Sequence, residues 1–183
     1  TYINNIKISN ILAKDSLLFN VEMSQADAPN YIDLNGNIHF AHNAPAYIKF
    51  QKSTIIINGD NWQLNNDALL RVSKGKIHIN NLLLNQGQQQ VKLNGIASNE
   101  NDQVNILFEN FSLSSLNGFT KPLGISLQGK LNGNVYLNSI FRNPFASANI
   151  ETSPIIYNNV PIGKLKFNAD FDPSIGVANL SIN

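Results

Sequence analysis

The stretch GISLQGKLNGNVYL spans Gly124–Leu137. Alternate residues from its second position (Ile125, Leu127, Gly129, Leu131, Gly133, Val135, Leu137) are apolar or glycine. The intervening set (Ser126, Gln128, Lys130, Asn132, Asn134, Tyr136) is nearly all polar. Successive side chains of a β-strand point to opposite faces, so this pattern predicts a strand with one apolar and one polar side. Taken as a single strand it would reach about 46 Å at roughly 3.3 Å per residue, far longer than the usual strand. Interior glycine weakens a strand and marks places where a sheet kinks. Gly129 and Gly133 lie on the apolar side, so they are expected to let the sheet curl toward that side. The competing expectation is a strand broken in two at the glycines, inside an ordinary closed core.

Period-two alternation recurs outward from this stretch. It is read at Leu17–Met23, Ile32–Phe40, Thr54–Leu64, Ala68–Val72 and Val91–Ala97, and again at Val104–Phe108, Leu165–Phe171 and Ala178–Ile182. Turn clusters separate these runs, among them Asn35-Gly36, Asn58-Gly59-Asp60 and Gln86-Gly87. Helical spacing is confined to Ser114–Phe119 and Asn138–Arg142, each read as one turn. The fold class is therefore all-β with minor short helices.

Three segments share the pattern apolar, Asn, Asn, apolar, any, apolar: Ile3–Ile8, Ile79–Leu84 and Tyr157–Ile162. The Asn pair reverses the parity of the apolar positions, with Ile77 and Ile79 odd and Leu82 and Leu84 even. A parity reversal without a full turn is what a β-bulge or a bend produces. A repeated strand–bend–strand unit is one reading of the three segments, and coincidence in an asparagine-rich chain is the other.

Composition narrows the function. The chain has 183 residues, 43% of them apolar, enough for a folded domain. It is read as a single β-rich segment, 1–183, excised from a longer protein, since it opens on Thr1. Net charge is +1, with no basic stripe of the kind nucleic acid requires. Cysteine is absent, which excludes disulfides, thiolate metal sites and thiol catalysis. The solubilising residue is asparagine, at about 30 copies, a residue that suits turns and tolerates left-handed backbone.

Candidate chemistry is sparse. His39 and His42 are three apart, so on a strand they face opposite sides and cannot chelate together. The acids are dispersed, and no nucleophile elbow or phosphate-cradling glycine loop occurs. Trp62 and the tyrosines lack a common spacing, so packing is the expected role. No catalytic residue, cofactor or metal site is read, and an enzyme is not expected.

The run Gly129–Leu137, the connector ending at Asn143-Pro144, the apolar Ala148-Asn149-Ile150 and the step Val160–Leu165 follow one another in a familiar order. Together with Leu82, Leu84, Gly87, Val91, Leu93 and Gly95, they resemble the C-terminal region of the TamB (translocation and assembly module) family in the wider AsmA-like group. The resemblance covers most of 54–182 and, more faintly, Thr1–Met23. This chain has Asn138-Ser139 and Ser147-Ala148 where members often carry glycine.

The resemblance implies an elongated, curved, antiparallel-rich sheet forming a U-shaped, β-taco-like trough with an apolar interior. It implies a periplasmic module that moves phospholipid between the inner and outer membranes of a double-membraned bacterium, in outer-membrane biogenesis. The parent would be anchored in the inner membrane. The alternative it carries is a scaffold that assists outer-membrane protein assembly through strand-edge contact with a β-barrel partner. A closed sandwich adhesin or sugar-binding domain is a third reading.

Acyl chains need only a non-directional apolar lining, at about 0.8 kcal/mol per CH₂ removed from water. The lining is assigned to Leu17, Phe19, Val21, Val91, Leu93, Val104, Ile106, Phe108, Ile125, Leu127, Leu131, Val135, Leu137, Leu165 and Phe167. Gly129 and Gly133 are assigned as the sheet-curling glycines.

Overall fold

The computed structural model describes residues 3–25, 30–40, 42–172 and 177–182. They form an all-β chain dominated by one antiparallel sheet. Its strands are β1 (Ile3–Ala13), β2 (Ser16–Gln25), β3 (Tyr31–His39), β4 (Ala46–Phe50), β5 (Thr54–Ile57), β6 (Asp60–Leu64) and β7 (Leu69–Ser73). They continue with β8 (Lys76–Gln86), β9 (Gln89–Ala97) and β10 (Gln103–Ser112). After an insert come β11 (Leu127–Gln128), β12 (Lys130–Asn138), β13 (Phe145–Thr152), β14 (Ile155–Tyr157), β15 (Val160–Gly163), β16 (Lys166–Asp172) and β17 (Val177–Ile182). The insert is a 3-10 turn at Leu113–Leu116, a one-turn helix α1 (Asn117–Thr120) and a second 3-10 turn at Lys121–Leu123.

The spatial order is β1-β2-β3-β4-β7-β8-β9-β10-β12-β13-β16-β17. Strands β5 and β6 prolong β4 and β7: β5 pairs with β3, and β6 with β8, on the same sides that β4 and β7 use. The strands β11, β14 and β15 pair among themselves and prolong β12, β13 and β16 in the same way. The molecule is thus a meander of long, interrupted strands, each lying beside its neighbour in sequence.

The interruptions have a common chemistry. At each one a short polar side chain supplies the acceptor that the ladder no longer provides. Asn35 N–H donates to Ser53 Oγ (3.0 Å) beside the β4–β5 break, and Leu83 N–H to Asn65 Oδ1 (2.8 Å) beside the β6–β7 break. Lys130 N–H donates to Ser153 Oγ (2.8 Å), and Leu165 N–H to Thr152 Oγ1 (3.0 Å). A backbone donor left without a partner away from water would cost about 1–3 kcal/mol, so these side chains make the bends affordable.

Two bulges repeat one arrangement. The register slips between Ile79 and Leu82 and between Phe108 and Phe111. Asn81 and Asn110 take left-handed φ of 52° and 50°. Their N–H groups donate to Asn94 Oδ1 and Asn132 Oδ1, both at 2.8 Å. The acceptor asparagine precedes Gly95 in one case and Gly133 in the other, with φ of 129° and 140°. A side chain at either glycine would collide with a carbonyl of the next strand, Gln103 O or Asn149 O.

Several expectations are corrected. Ile125–Leu137 is not one strand: it breaks at Gly129 (φ 124°), and Gly124–Ser126 lie outside any strand. Thr54–Leu64 is a hairpin turning at Asn58-Gly59. Asn138–Arg142 leaves β12 into a turn, not a helix. Of the three Asn-Asn segments, the second is the bulge expected, and the first shows a register slip between Ile3 and Asn5. The third is a tight turn joining β14 to β15, with Asn158 and Asn159 both at positive φ. The strand β4 is a further alternating run, Ala46, Ile48 and Phe50 against Tyr47 and Lys49, outside those expected from the sequence.

One ionic tie links two loops. Lys76 Nζ lies 2.6 Å from Glu100 Oε2 and 2.9 Å from Asp102 Oδ2. Hydrogen bonds from Lys76 and from Ser98 hold the Asp102 carboxyl below its ordinary range. The bonds to Glu100 and Asp102 raise the Lys76 ammonium above its own.

Candidate functional site: a one-sided apolar sheet

Residues directly opposite in an antiparallel pair share a face, so the register maps the faces without ambiguity. Starting from β2, Phe19 faces Gly36 and Val21 faces Leu34 of β3. Across β3 and β4, Ile38 faces Ile48, and Ile48 faces Leu70 of β7. Leu70 then faces Ile79, which faces Gly95. Beyond the first bulge Leu82 faces Leu93 and Leu84 faces Val91.

On β10, Val104, Ile106 and Phe108 meet Gly95, Leu93 and Val91 on one side and Leu137, Val135 and Gly133 on the other. Ile150 faces Gly133 and, across β16, Phe167. One apolar face therefore runs from β1 to β17. Each bulge's extra residue restores the phase that alternation alone would lose.

Twelve of the fifteen predicted lining residues fall on this face within the main sheet: Leu17, Phe19, Val21, Val91, Leu93, Val104, Ile106, Phe108, Leu131, Val135, Leu137 and Phe167. Leu165 lies just before β16, where Thr152 N–H donates to its carbonyl (2.9 Å) and keeps it in the same register. Leu127 belongs to the small sheet beyond the Gly129 break, and Ile125 precedes any strand. Gly133 sits on the face opposite the second bulge, and Gly129 marks the strand break.

The sequence reading left out Ile6 and Ile8 of β1, Ile32, Leu34 and Ile38 of β3, and Ile48 of β4. Their alternation was legible or nearly so. Their membership of this face depends on register.

No family model, curated protein or solved structure matches the chain.

Burial along the face is uneven. Among the described residues the fully buried apolar side chains are few, including Val104, Ala97, Ile55 and Trp62. Most of the face is half-buried, and on β1 it is open, with Ile8 66% exposed. Among the described residues the strands pair into this one large sheet and the small sheet of β11, β14 and β15.

Contacts across the middle of the face are short. The Trp62 and Phe111 ring centroids are 5.8 Å apart, and those of Phe108 and Phe111 5.6 Å. Trp62 is on β6 and Phe111 on β10, three strand steps away, a separation of about 14 Å in a flat sheet. Asn58 of the β5–β6 turn also donates to the Ser114 carbonyl at 2.9 Å. Phe119 of α1 lines a cavity of about 160 Å³ with Met23, Ile32 and Ile57. The insert is anchored on its other side by Asn117, whose Oδ1 accepts from Leu127 N–H (2.8 Å) and whose Nδ2 donates to Leu127 O (2.9 Å).

Among the described residues the positions that the register places on this face carry no charged side chain. Among the described residues no group of histidines and acids is placed to hold a metal ion. No described helix is long and apolar enough to cross a membrane.

Proposed function

We propose that the chain is a hydrophobic-groove module that carries phospholipid acyl chains, of the kind found in the TamB and AsmA-like group. One observation carries the reading: the apolar face is continuous across the sheet, and most of its described residues are half-buried. The short Trp62–Phe111 contact and the Asn58–Ser114 bond favour a sheet bent toward its apolar side, hence a trough. Tails lodged there would leave water at about 0.8 kcal/mol per CH₂ while the headgroup stays solvated. The setting that goes with this activity is the periplasm, with transfer between inner and outer membranes and a parent anchored in the inner one.

The test is lipid extraction and mass spectrometry on the purified chain beside Leu131→Asp. The variant puts an unpaired carboxylate on the lining, where charge is strongly disfavoured. Phospholipid is expected with the wild-type chain and at least tenfold less with a variant that keeps its β-sheet circular dichroism. Wild-type protein free of lipid after incubation with phospholipid vesicles overturns the reading.

A second reading has its own observation. The outer side of β1 is unpaired among the described residues, and Ile6, Ile8 and Leu12 stand 61%, 66% and 72% exposed along it. Such an edge accepts a partner strand by β-augmentation, which fits assistance to a β-barrel protein. Ser9→Pro in β1 is expected to abolish capture of a barrel partner while leaving lipid loading intact.

A further inference from the structure

The opposite, polar face holds a feature that lipid tails do not use. We propose that it carries an anion site for a phosphate group, formed by His39, Tyr47, Lys49 and Arg71. Cross-strand pairing sets Ser16, His39, Tyr47, Arg71 and His78 in one row over five strands. The adjoining row places Asn37, Lys49 and Leu69 side by side. Lys49 is therefore the diagonal neighbour of both His39 and Arg71, at a Cα spacing of about 7–8 Å. That spacing lets two cationic side chains close on one tetrahedral anion.

Three of its four residues share a concavity, and Arg71 stands beside it in the cross-strand row. Asn37, His39, Tyr47, Lys49 and Leu69 line a surface cavity of about 420 Å³, with Leu69 as its apolar wall.

The cations are not spent on other partners. Lys7, Lys76 and Lys166 are each paired with carboxylates. Among the described residues neither Lys49 nor Arg71 has a carboxylate within ion-pair distance. Of the nearby acids, Asp15 is approached by the Ser16 hydroxyl, and Asp67 accepts from Asn65 and Asn81. Arg71 is held in place instead by His78, whose Nε2 lies 3.1 Å from Arg71 Nη2. Among the described residues the rest of its planar fork has no partner, and a fork of donors suits two phosphate oxygens. The Tyr47 hydroxyl and the His39 ring add donors beside it.

The phosphate belongs either to a soluble phosphomonoester or to a phospholipid headgroup, and two arms of one experiment separate these. In the first, the protein is titrated with sn-glycerol 3-phosphate and the His39 ring protons are followed by NMR. In the second, it is floated with vesicles of phosphatidylglycerol in phosphatidylcholine. Lys49→Gln, Arg71→Gln and, as a distant control, Lys130→Gln are run in both. Saturable shifts that weaken at least fivefold in Lys49→Gln and Arg71→Gln, but not in Lys130→Gln, assign the site to a soluble phosphate. Vesicle binding with the same variant pattern and no response to glycerol phosphate assigns it to a headgroup. No saturable response in either arm, or equal losses in Lys130→Gln, overturns the proposal. Lys49 is exposed, so its replacement leaves the fold intact. The site lies on the other face from the acyl lining, so it stands or falls separately from lipid carriage.

Discussion

The middle of the sheet and its β1 flank obey the same alternation and end in different states. Around β6–β10 the apolar side chains meet one another: Trp62 is 1% exposed and Val104 2%. On β1 the equivalent positions look into solvent. The difference teaches that alternation decides which way a side chain points, while burial is decided by what the face bends toward. In the middle, bulges at Asn81 and Asn110 and the insert at Leu113–Leu123 bring distant strands together. The flank has only the register slip between Ile3 and Asn5.

The largest expected effect separates these regions directly. Trp62→Ala should lower stability by about 4 kcal/mol, since it removes the most buried large side chain. Ile8→Ala, on the open flank, should change it by about 0.5 kcal/mol or less. Urea midpoints of the main transition check both, and equal losses would erase the distinction between middle and flank.

The next effect probes what bends the middle. Gly133→Ala forces a side chain onto a φ of 140° and into the Asn149 carbonyl, at a cost of about 3 kcal/mol. Asn132→Ala removes the acceptor of the Asn110 N–H, a bond at the surface, and should cost about 0.5–1 kcal/mol. If the double variant loses less than the sum of the two, the glycine and the asparagine act as one device.

The smallest effect is electrostatic. The carboxyl of Asp102 is held below its ordinary range by Lys76 and Ser98, so its share of stability is full above the unfolded-state value. That share is lost as pH falls through the lowered folded value. Acid titrations of stability should therefore be shallower in Asp102→Asn below about pH 4. Both groups of this pair reach solvent, so the change is small beside the other two.

Much of this was legible in the sequence. Leu17–Met23, Val91–Ala97 and Val104–Phe108 declare both strand and face, because period two needs no partner to be read. The Asn80-Asn81 bulge was legible as a parity reversal. The same reversal between Phe108 and Phe111 was present and passed unread, since no Asn pair drew attention to it. Gly129 and Gly133 were recognised as special, yet they do different things. One breaks a strand, and the other lies inside β12 beneath a neighbouring backbone. What local pattern could not supply was register. The unity of the face, and the row from Ser16 to His78 behind it, exist only through pairing between residues far apart in the chain.

The meander has one further consequence. Because each long strand lies against the one just before it, no segment must wait for a distant partner before it can pair. Ordering can start at any hairpin and spread outward one strand at a time, with loop closures that stay short throughout. Cohesion is then mainly a sum over neighbouring strands, as in repeat arrays. An outermost strand can peel away and re-form while the rest stays folded, and a chain entering a compartment end-first can take up its structure as it arrives.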